Sequence, residues 1–278
     1  MNKKIIFLSS LIIIILSVMA TLTGLFWPNL YQHDTISIIS QMQGQDLITL
    51  IIVIPILVGS IYLVSKNSLR GRLIWMGTIF YFIYTYASLS FAASYNQLFL
   101  VYVAIFSLAL FAFLGELVSL DIKKVRESFS SNSMRKITAV FLAIVGLMLA
   151  SMWLKMIVDS LLVGTNPPAL ETYTTLVIQA LDLGVVVPTA ILSSYLLMKN
   201  NEWGFVIASV FLIKAALLGT AILSMVLFMV LNGVAVDMGQ VIFFIILTVS
   251  GIVVASGFYS KIKGIYLPMT KNDSIKSG

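Results

Sequence analysis

Residues 43–68 read QGQDLITLIIVIPILVGSIYLVSKNS, and residues 179–201 read QALDLGVVVPTAILSSYLLMKNN. Each stretch is apolar, with an aspartate near its start, a proline in its middle, and Tyr and then Lys-Asn at its end. Each is long enough to cross a bilayer, which takes roughly 20 apolar residues. The two stretches therefore predict membrane-spanning helices, and their likeness predicts an internal repeat.

The composition of the whole chain fits a lipid environment. Of its 278 residues, 60% are hydrophobic and 10% are charged, whereas a soluble domain carries about a quarter charged residues. Apolar segments lie near residues 5–27, 47–65, 73–93, 97–118, 137–158, 174–198, 204–232 and 239–260. Longer connections are expected near 28–46 and 119–136. The sequence predicts an all-α polytopic integral membrane protein with about eight transmembrane helices, in contact with the lipid bilayer.

Lysine and arginine are concentrated in alternate connections. With the N-terminus inside, the cytoplasmic segments hold Lys3, Lys4, Lys66, Arg70, Arg72, Lys123, Lys124, Arg126, Arg135, Lys136, Lys199, Lys261, Lys263, Lys271 and Lys276, and the opposite loops hold none. Because positive loops stay in the cytoplasm, we expect both termini to be cytoplasmic, in the cell membrane. This distribution explains the net charge of +6 as membrane topology, so no nucleic-acid partner is expected.

The first apolar segment also has features of a cleaved signal peptide. MNKK precedes it, and Val18-Met19-Ala20 resembles a cleavage site. We expect the segment to be retained as a helix, since its apolar run continues to Trp27 and the repeat requires it.

The repeat becomes explicit when Pro55 is aligned with Pro188, an offset of 133 residues. The same offset pairs Ser60 with Ser193, Tyr62 with Tyr195, Leu63 with Leu196, Lys66 with Lys199, Asn67 with Asn200, and Gly71 with Gly204. Both copies cross the membrane in the same direction, which predicts a parallel repeat of four plus four helices. The expected parts are a first half (1–118), a cytoplasmic linker (119–136), a second half (137–260) and a cytoplasmic tail (261–278).

The aligned prolines are candidate hinges. Pro188 cannot donate a hydrogen bond to the carbonyl of Gly184, and Pro55 cannot donate one to Ile51. Pro188 lies about 16 Å along the helix from Lys199, which places it near the midplane. Broken helices at matching depth are typical of transport sites, so Pro55, Pro188 and Gly184 are predicted hinge residues. A static kink is the alternative.

Charges inside the apolar segments are the strongest functional signal. An isolated charge in hydrocarbon is expensive, so Asp182, Lys155 and Lys214 should each find a partner or reach water. Asp182 could pair with Lys155 or with Lys214. Lys155 could instead pair with Asp159 or extend to the surface. Lys214 has no easy exit from the membrane, which makes it the best candidate for a ligand-binding group.

Tyrosines could complete a ligand site around this lysine. Tyr81 occupies the repeat position of Lys214, and Tyr81, Tyr84 and Ser88 share one helical face. The candidate ligand-binding residues are Lys214, Asp182, Tyr81, Tyr84 and Gln179. An aromatic packing stripe is the alternative interpretation of the tyrosines.

Four other polar residues are expected to be ordinary. Asp46 lies one turn further from its proline than Asp182 does, so we expect it close to the outer surface. His33 and Asp34 are predicted to be loop residues. Glu116 is expected to be solvated near a cytoplasmic helix end.

The chain lacks the residues that characterise several classes of function. The chain has no cysteine, a single histidine, no G-x-x-x-x-G-K-[ST] motif and no paired Asp-rich motif. We therefore expect no metal, no cofactor and no catalytic residue.

The leading hypothesis is a small permease, or a subunit of one, for a polar or anionic solute that binds near Lys214. The alternatives are a non-catalytic sensor, a partner of another membrane protein or of a second copy, and a lipid-modifying enzyme. A retinal-type Schiff base at Lys214 is a further variant.

Overall fold

A computed structural model describes residues 1–263 of the chain. The α-helices are α1 (Lys3–Phe26), α2 (Ile36–Ile48), α3 (Ile54–Ser65), α4 (Leu69–Phe91), α5 (Phe99–Ser119), α6 (Ile122–Ser128), α7 (Asn132–Val163), α8 (Val177–Leu181), α9 (Val187–Met198), α10 (Glu202–Leu231) and α11 (Met238–Ser260). One π-helical segment, Thr49–Val53, joins α2 to α3, and another, Asp182–Val186, joins α8 to α9. Eight helices in this range are long and apolar enough to cross a membrane, which confirms the predicted all-α, multi-pass architecture.

Two predicted connections are partly helical. The second membrane helix begins at Ile36, because Thr35 caps it by accepting a hydrogen bond from the backbone N–H of Ile38 at 3.2 Å. The segment 28–46 is therefore mostly helix and not a loop. Segment 119–136 contains α6 and the first turn of α7. Lys271 and Lys276, assigned to the tail, lie outside the described residues.

The helix ends form two faces of the bundle. On the basic face, Arg126 donates to the carbonyl of Asn200 at 3.1 Å, and Lys3 donates to that of Ser65 at 3.3 Å. On the opposite face, which we call the acidic face, the backbone N–H of Ser94 donates to Asp34 at 3.2 Å. The loops of the acidic face are 27–35, 92–98, 164–176 and 232–237, and they contain no lysine or arginine. The uneven distribution of lysine and arginine along the sequence thus becomes a difference between the two ends of the bundle.

The Lys-Asn pairs of the two quoted stretches end α3 and α9 in the same way. Asn67 and Asn200 have φ angles of 59° and 56°, in the left-handed region that asparagine tolerates better than most residues. The next residue in each copy, Ser68 or Asn201, donates its backbone N–H five residues back at 3.0 Å. This is the hydrogen bond of a Schellman cap, which satisfies a carbonyl at the helix end.

The two prolines follow π-helical turns at matching positions. Thr49–Val53 and Asp182–Val186 are separated by the same offset of 133 as the prolines. In each turn the N–H that precedes proline bonds five residues back, from Ile54 to Thr49 and from Val187 to Asp182. Pro55 and Pro188 follow directly as the second residue of the next α-helical segment, so a carbonyl of the preceding turn lacks its usual backbone donor.

Helices α4 and α10 form the centre of the bundle. In its most apolar stretch, α4 is 78% buried and α10 is 56% buried, whereas no other spanning helix exceeds 39%. The two pack closely at Gly77, where an added Cβ would lie 2.5 Å from the Cβ of Ile213. Polar side chains on α4 and α10 therefore lie inside the protein rather than in lipid.

A second close contact joins α2 to α10 and gives a stability prediction. A Cβ added at Gly44 would lie 2.5 Å from the backbone N of Met225, and backbone cannot move aside as a side chain can. We expect Gly44→Ala to lower the free energy of unfolding by about 1–3 kcal/mol through overpacking. Denaturant-induced unfolding in detergent micelles measures this change.

The matched control is Gly59→Ala, because a Cβ at Gly59 meets nothing within 4 Å. Removing a helical glycine should leave stability unchanged or raise it slightly. Equal effects of the two substitutions would contradict the close approach of α2 and α10.

Candidate functional site

Asp182 is held by hydrogen bonds from two other helices. It opens the second π-helical segment and is 6% exposed. Its Oδ1 accepts a hydrogen bond from the Tyr84 hydroxyl of α4 at 2.8 Å, and its Oδ2 accepts one from the Trp153 indole N–H of α7 at 2.8 Å. Both carboxylate oxygens are therefore occupied and fixed in orientation.

Lys214 lies on α10 against the other side of the same tyrosine. Its Nζ is 3.9 Å from the centroid of the Tyr84 ring, and the residue is 1% exposed. This cation–π contact stabilises a desolvated ammonium by about 2 kcal/mol. Asp182 acts electrostatically on Lys214, although none of the ion pairs within 4 Å in residues 1–263 includes this lysine. Tyr84 thus joins the acid and the base, the first through its hydroxyl and the second through its ring.

Lys155 takes the local partner that the sequence left open. It forms an exposed ion pair with Asp159, one turn further along α7. The 32 residues of α7 extend about 48 Å, and Lys155 lies about 35 Å from its start. The hydrocarbon core is about 30 Å thick, so Lys155 can reach the membrane surface. Trp153, two residues earlier, makes the contact with Asp182 that was considered for Lys155.

The remaining ligand candidates point to different partners. The Tyr81 hydroxyl is 2.8 Å from the Thr49 hydroxyl in the first π-helical segment, whereas Tyr84 bonds to Asp182 in the second. Gln179 is buried on α8, one turn before Asp182. The two tyrosine hydroxyls therefore bond to different π-helical segments. These hydrogen bonds do not support a single cavity lined by Tyr81, Tyr84 and Lys214.

The three hinge candidates lie on the outside of the bundle. Pro55, Pro188 and Gly184 are exposed, and a Cβ added at Gly184 would meet nothing within 4 Å. The prolines therefore contact no tightly packed neighbour that would hold the helix in one shape. Their role as hinges stays a prediction.

Three acidic residues that were predicted to be ordinary have side chains buried inside the protein. Asp46 is 5% exposed, because α2 begins well before it and carries it into the bundle. Asp34 is buried beneath the loops of the acidic face, although its neighbour His33 is exposed. Glu116 is 0% exposed and accepts a hydrogen bond from Arg72 of α4 at 3.1 Å. The prediction of a solvated Glu116 was therefore wrong, whereas Asp34 is a loop residue as predicted, although its side chain is buried. Asp46 bonds to Tyr31 in a loop of the acidic face, and its position near the outer surface stays a prediction.

Trp153 is the site residue that the sequence reasoning missed. It lies in an apolar stretch of α7, whose sequence does not indicate which of its faces meets α8. An indole N–H inside a membrane helix needs an acceptor, and this requirement was the available signal.

In the cluster formed by Asp182, Lys214, Tyr84 and Trp153, which we call the Asp–Lys cluster, the first three residues are buried and Trp153 is half-buried. The carboxylate oxygens of Asp182 already accept two hydrogen bonds, whereas a lysine ammonium has three donors. Within residues 1–263 no group of three or more His, Asp or Glu side chains could hold a metal ion. The groups that this arrangement offers to a polar or anionic molecule are the hydrogen-bond donors and the charge of Lys214.

No protein-family model matches the chain, and neither a curated protein nor a solved structure shows significant similarity to it.

Proposed function

We propose that the protein is a small permease, or a subunit of one, whose solute binds at the Asp–Lys cluster. The observation that carries the proposal is Lys214, an ammonium buried at the centre of a membrane bundle and held against the ring of Tyr84. Ionisable groups inside membrane segments are expensive and commonly mark substrate pathways. A polar or anionic solute would use the donors of Lys214, while the ring of Tyr84 holds the lysine in place and Asp182 supplies a negative charge nearby.

The proposal includes a parallel repeat of residues 1–118 and 137–260, joined by the linker 119–136. Matching π-helical turns, prolines and left-handed asparagine caps at one offset support this repeat. The basic face holds the helix ends of both halves, which supports an orientation with both termini in the cytoplasm and a location in the cell membrane.

The two halves differ at one informative pair of positions. At the offset of 133, Thr49 and Tyr81 correspond to Asp182 and Lys214. The first half thus has a neutral hydrogen-bonded pair where the second half has an acid and a base. A charged pair in only one half supports a single solute site rather than two equivalent sites.

Lys214→Met tests the proposed solute site. The full-length protein is purified in detergent and screened for thermal stabilisation by carboxylates, phosphates and neutral polar metabolites. We expect at least one compound to stabilise the wild type and to bind the variant at least about 30-fold more weakly, because truncating a buried charged partner costs about 2 kcal/mol or more.

Lys155→Met is the matched control, since it removes an exposed lysine from the same chain. It should bind the stabilising compound as the wild type does. Equal binding to wild type and Lys214→Met, or a complete lack of stabilising compounds, would contradict the solute site. Co-purification of a reproducible membrane partner would then favour the non-catalytic alternative.

A further inference from the structure

A second buried carboxylate, Asp46, lies outside the Asp–Lys cluster. Its Oδ2 accepts a hydrogen bond from the Tyr31 hydroxyl at 2.8 Å. Helix α1 passes directly over this contact, because a Cβ added at Gly24 would lie 1.9 Å from Oδ2 and 2.6 Å from the Tyr31 hydroxyl. The glycine therefore leaves space for the acid and its tyrosine inside the bundle.

The groups that face Asp46 are tyrosines. Tyr31 comes from the loop between α1 and α2, Tyr81 and Tyr86 from α4, and Tyr102 from α5. Helix α1 contributes Gly24, and α10 packs on the same part of α2 through the backbone of Ser224 and Met225 at Gly44. None of the ion pairs in residues 1–263 includes Asp46.

This environment contrasts with that of Asp182. Lys214 lies against the ring of Tyr84, whose hydroxyl bonds to Asp182, whereas the position equivalent to that lysine is Tyr81 in the first half. A desolvated carboxylate without a counter-charge is costly, so it must bind a cation. Divalent cations take six or more oxygen ligands, and this site offers its own carboxylate and tyrosine hydroxyls. A proton, unlike a divalent cation, needs no ligand beyond one carboxylate.

Two buried polar atoms near the acidic face have no hydrogen-bond partner among the described residues. The Tyr102 hydroxyl, in the first turn of α5, is buried without a hydrogen-bond partner among the described residues. The Oδ2 of Asp34, three residues after Tyr31 in the same loop, is likewise buried and unpartnered among the described residues, while its Oδ1 accepts from Ser94. Buried polar atoms are normally satisfied, so two such atoms at the acidic-face end of the bundle, where Tyr31 bonds to Asp46, are suited to relaying protons or water.

We propose that Asp46 is a proton-binding site that exchanges with the acidic face through Tyr102 and Asp34. A proton from water on that face bonds to a carboxylate oxygen of Asp46, neutralises the acid, and leaves by the same route. The inference does not depend on the solute site, since Asp46 belongs to the first half and contacts neither Asp182 nor Lys214 by hydrogen bond or ion pair.

Infrared spectroscopy of the full-length protein in lipid nanodiscs tests the proposal. We expect the wild type to show the C=O band of a protonated carboxyl that is absent from Asp46→Asn and disappears as the pH is raised. Asp182→Asn and Asp159→Asn, which remove other carboxyls, should retain this band. Tyr31→Phe should shift its frequency, because the hydroxyl that contacts Asp46 is lost. The Tyr31 variant keeps the assignment testable if Asp46→Asn does not fold.

The exchange route has its own measurement. On transfer to D₂O, the band should exchange at least about tenfold more slowly in Tyr102→Phe than in the wild type, because a positioned proton-relay group typically accelerates transfer by more than this factor. The proposal is overturned if Asp46→Asn loses no carboxyl band at any pH, since the acid is then ionised. A band that neither titrates nor exchanges also overturns it, because the acid is then a closed structural group.

Discussion

Asp182→Asn is expected to lower the free energy of unfolding by about 3 kcal/mol, because it leaves the ammonium of Lys214 buried without a counter-charge. The substitution preserves size and keeps an oxygen that can accept from Tyr84 or Trp153. The loss therefore reports mainly on charge rather than on packing. Denaturant titration in detergent micelles gives the free energy, and the wild type and variant must be compared at one pH.

The double variant Asp182→Asn/Lys214→Met separates this explanation from a general disturbance of the bundle. Removing both charges should restore stability to within about 1 kcal/mol of the wild type, since replacing two buried charges of opposite sign together with uncharged groups is often neutral. Asp159→Asn, which breaks the exposed pair with Lys155, should leave the unfolding midpoint unchanged. A double variant no more stable than Asp182→Asn alone would rule out the electrostatic link between the two residues.

The second large effect is expected at the basic face, where Arg72 neutralises Glu116. Glu116 of α5 is 0% exposed, and its Oε1 lies 3.1 Å from the guanidinium of Arg72. Its Oε2 is 3.2 Å from the amino group of Met1. We expect Arg72→Met to lower the free energy of unfolding by about 3 kcal/mol, because the buried carboxylate loses one of its two cationic partners. Unfolding in detergent micelles measures the loss.

The companion variant is Arg72→Met/Glu116→Gln. It also removes the buried carboxylate that has lost Arg72, so it should recover most of the lost stability. Lys124→Met is the control on the same face, since Lys124 forms an exposed pair with Asp121. Exposed pairs contribute little, so this variant should unfold at the same denaturant concentration as the wild type. Similar losses in Arg72→Met and Lys124→Met would show that Glu116 is not buried as described.

Much of the architecture could be predicted from local sequence. Runs of apolar residues predicted all eight spanning helices, because hydrocarbon requires each segment to satisfy its own backbone. The uneven distribution of lysine and arginine predicted that alternate connections would share a face. Both features depend on residues that are near one another in the chain. The boundaries were less predictable, as α2 shows: its first turns are polar, and only the cap at Thr35 marks the start.

The partners of buried polar side chains could not be predicted in this way. The sequence placed Asp182, Lys214 and Tyr84 among the candidates, but it did not reveal Trp153 or the burial of Asp46. Which face of a helix meets a neighbour depends on its rotation and tilt. A π-helical turn inserts one residue, which rotates everything after it by about 100° relative to a regular helix.

The sequence by itself determined that the chain has eight helices long and apolar enough to cross a membrane, and that one end of the bundle is basic. The tertiary structure decided which acids are buried and what each one contacts. Asp46 precedes the first π-helical turn and Asp182 begins the second, each ahead of a proline, yet Asp46 bonds to Tyr31 whereas Asp182 bonds to Trp153 and to Tyr84, the tyrosine that Lys214 contacts. The physical reason is that transfer from water to lipid depends on the composition of each segment, whereas hydrogen bonds between helices depend on geometry that many distant residues set together.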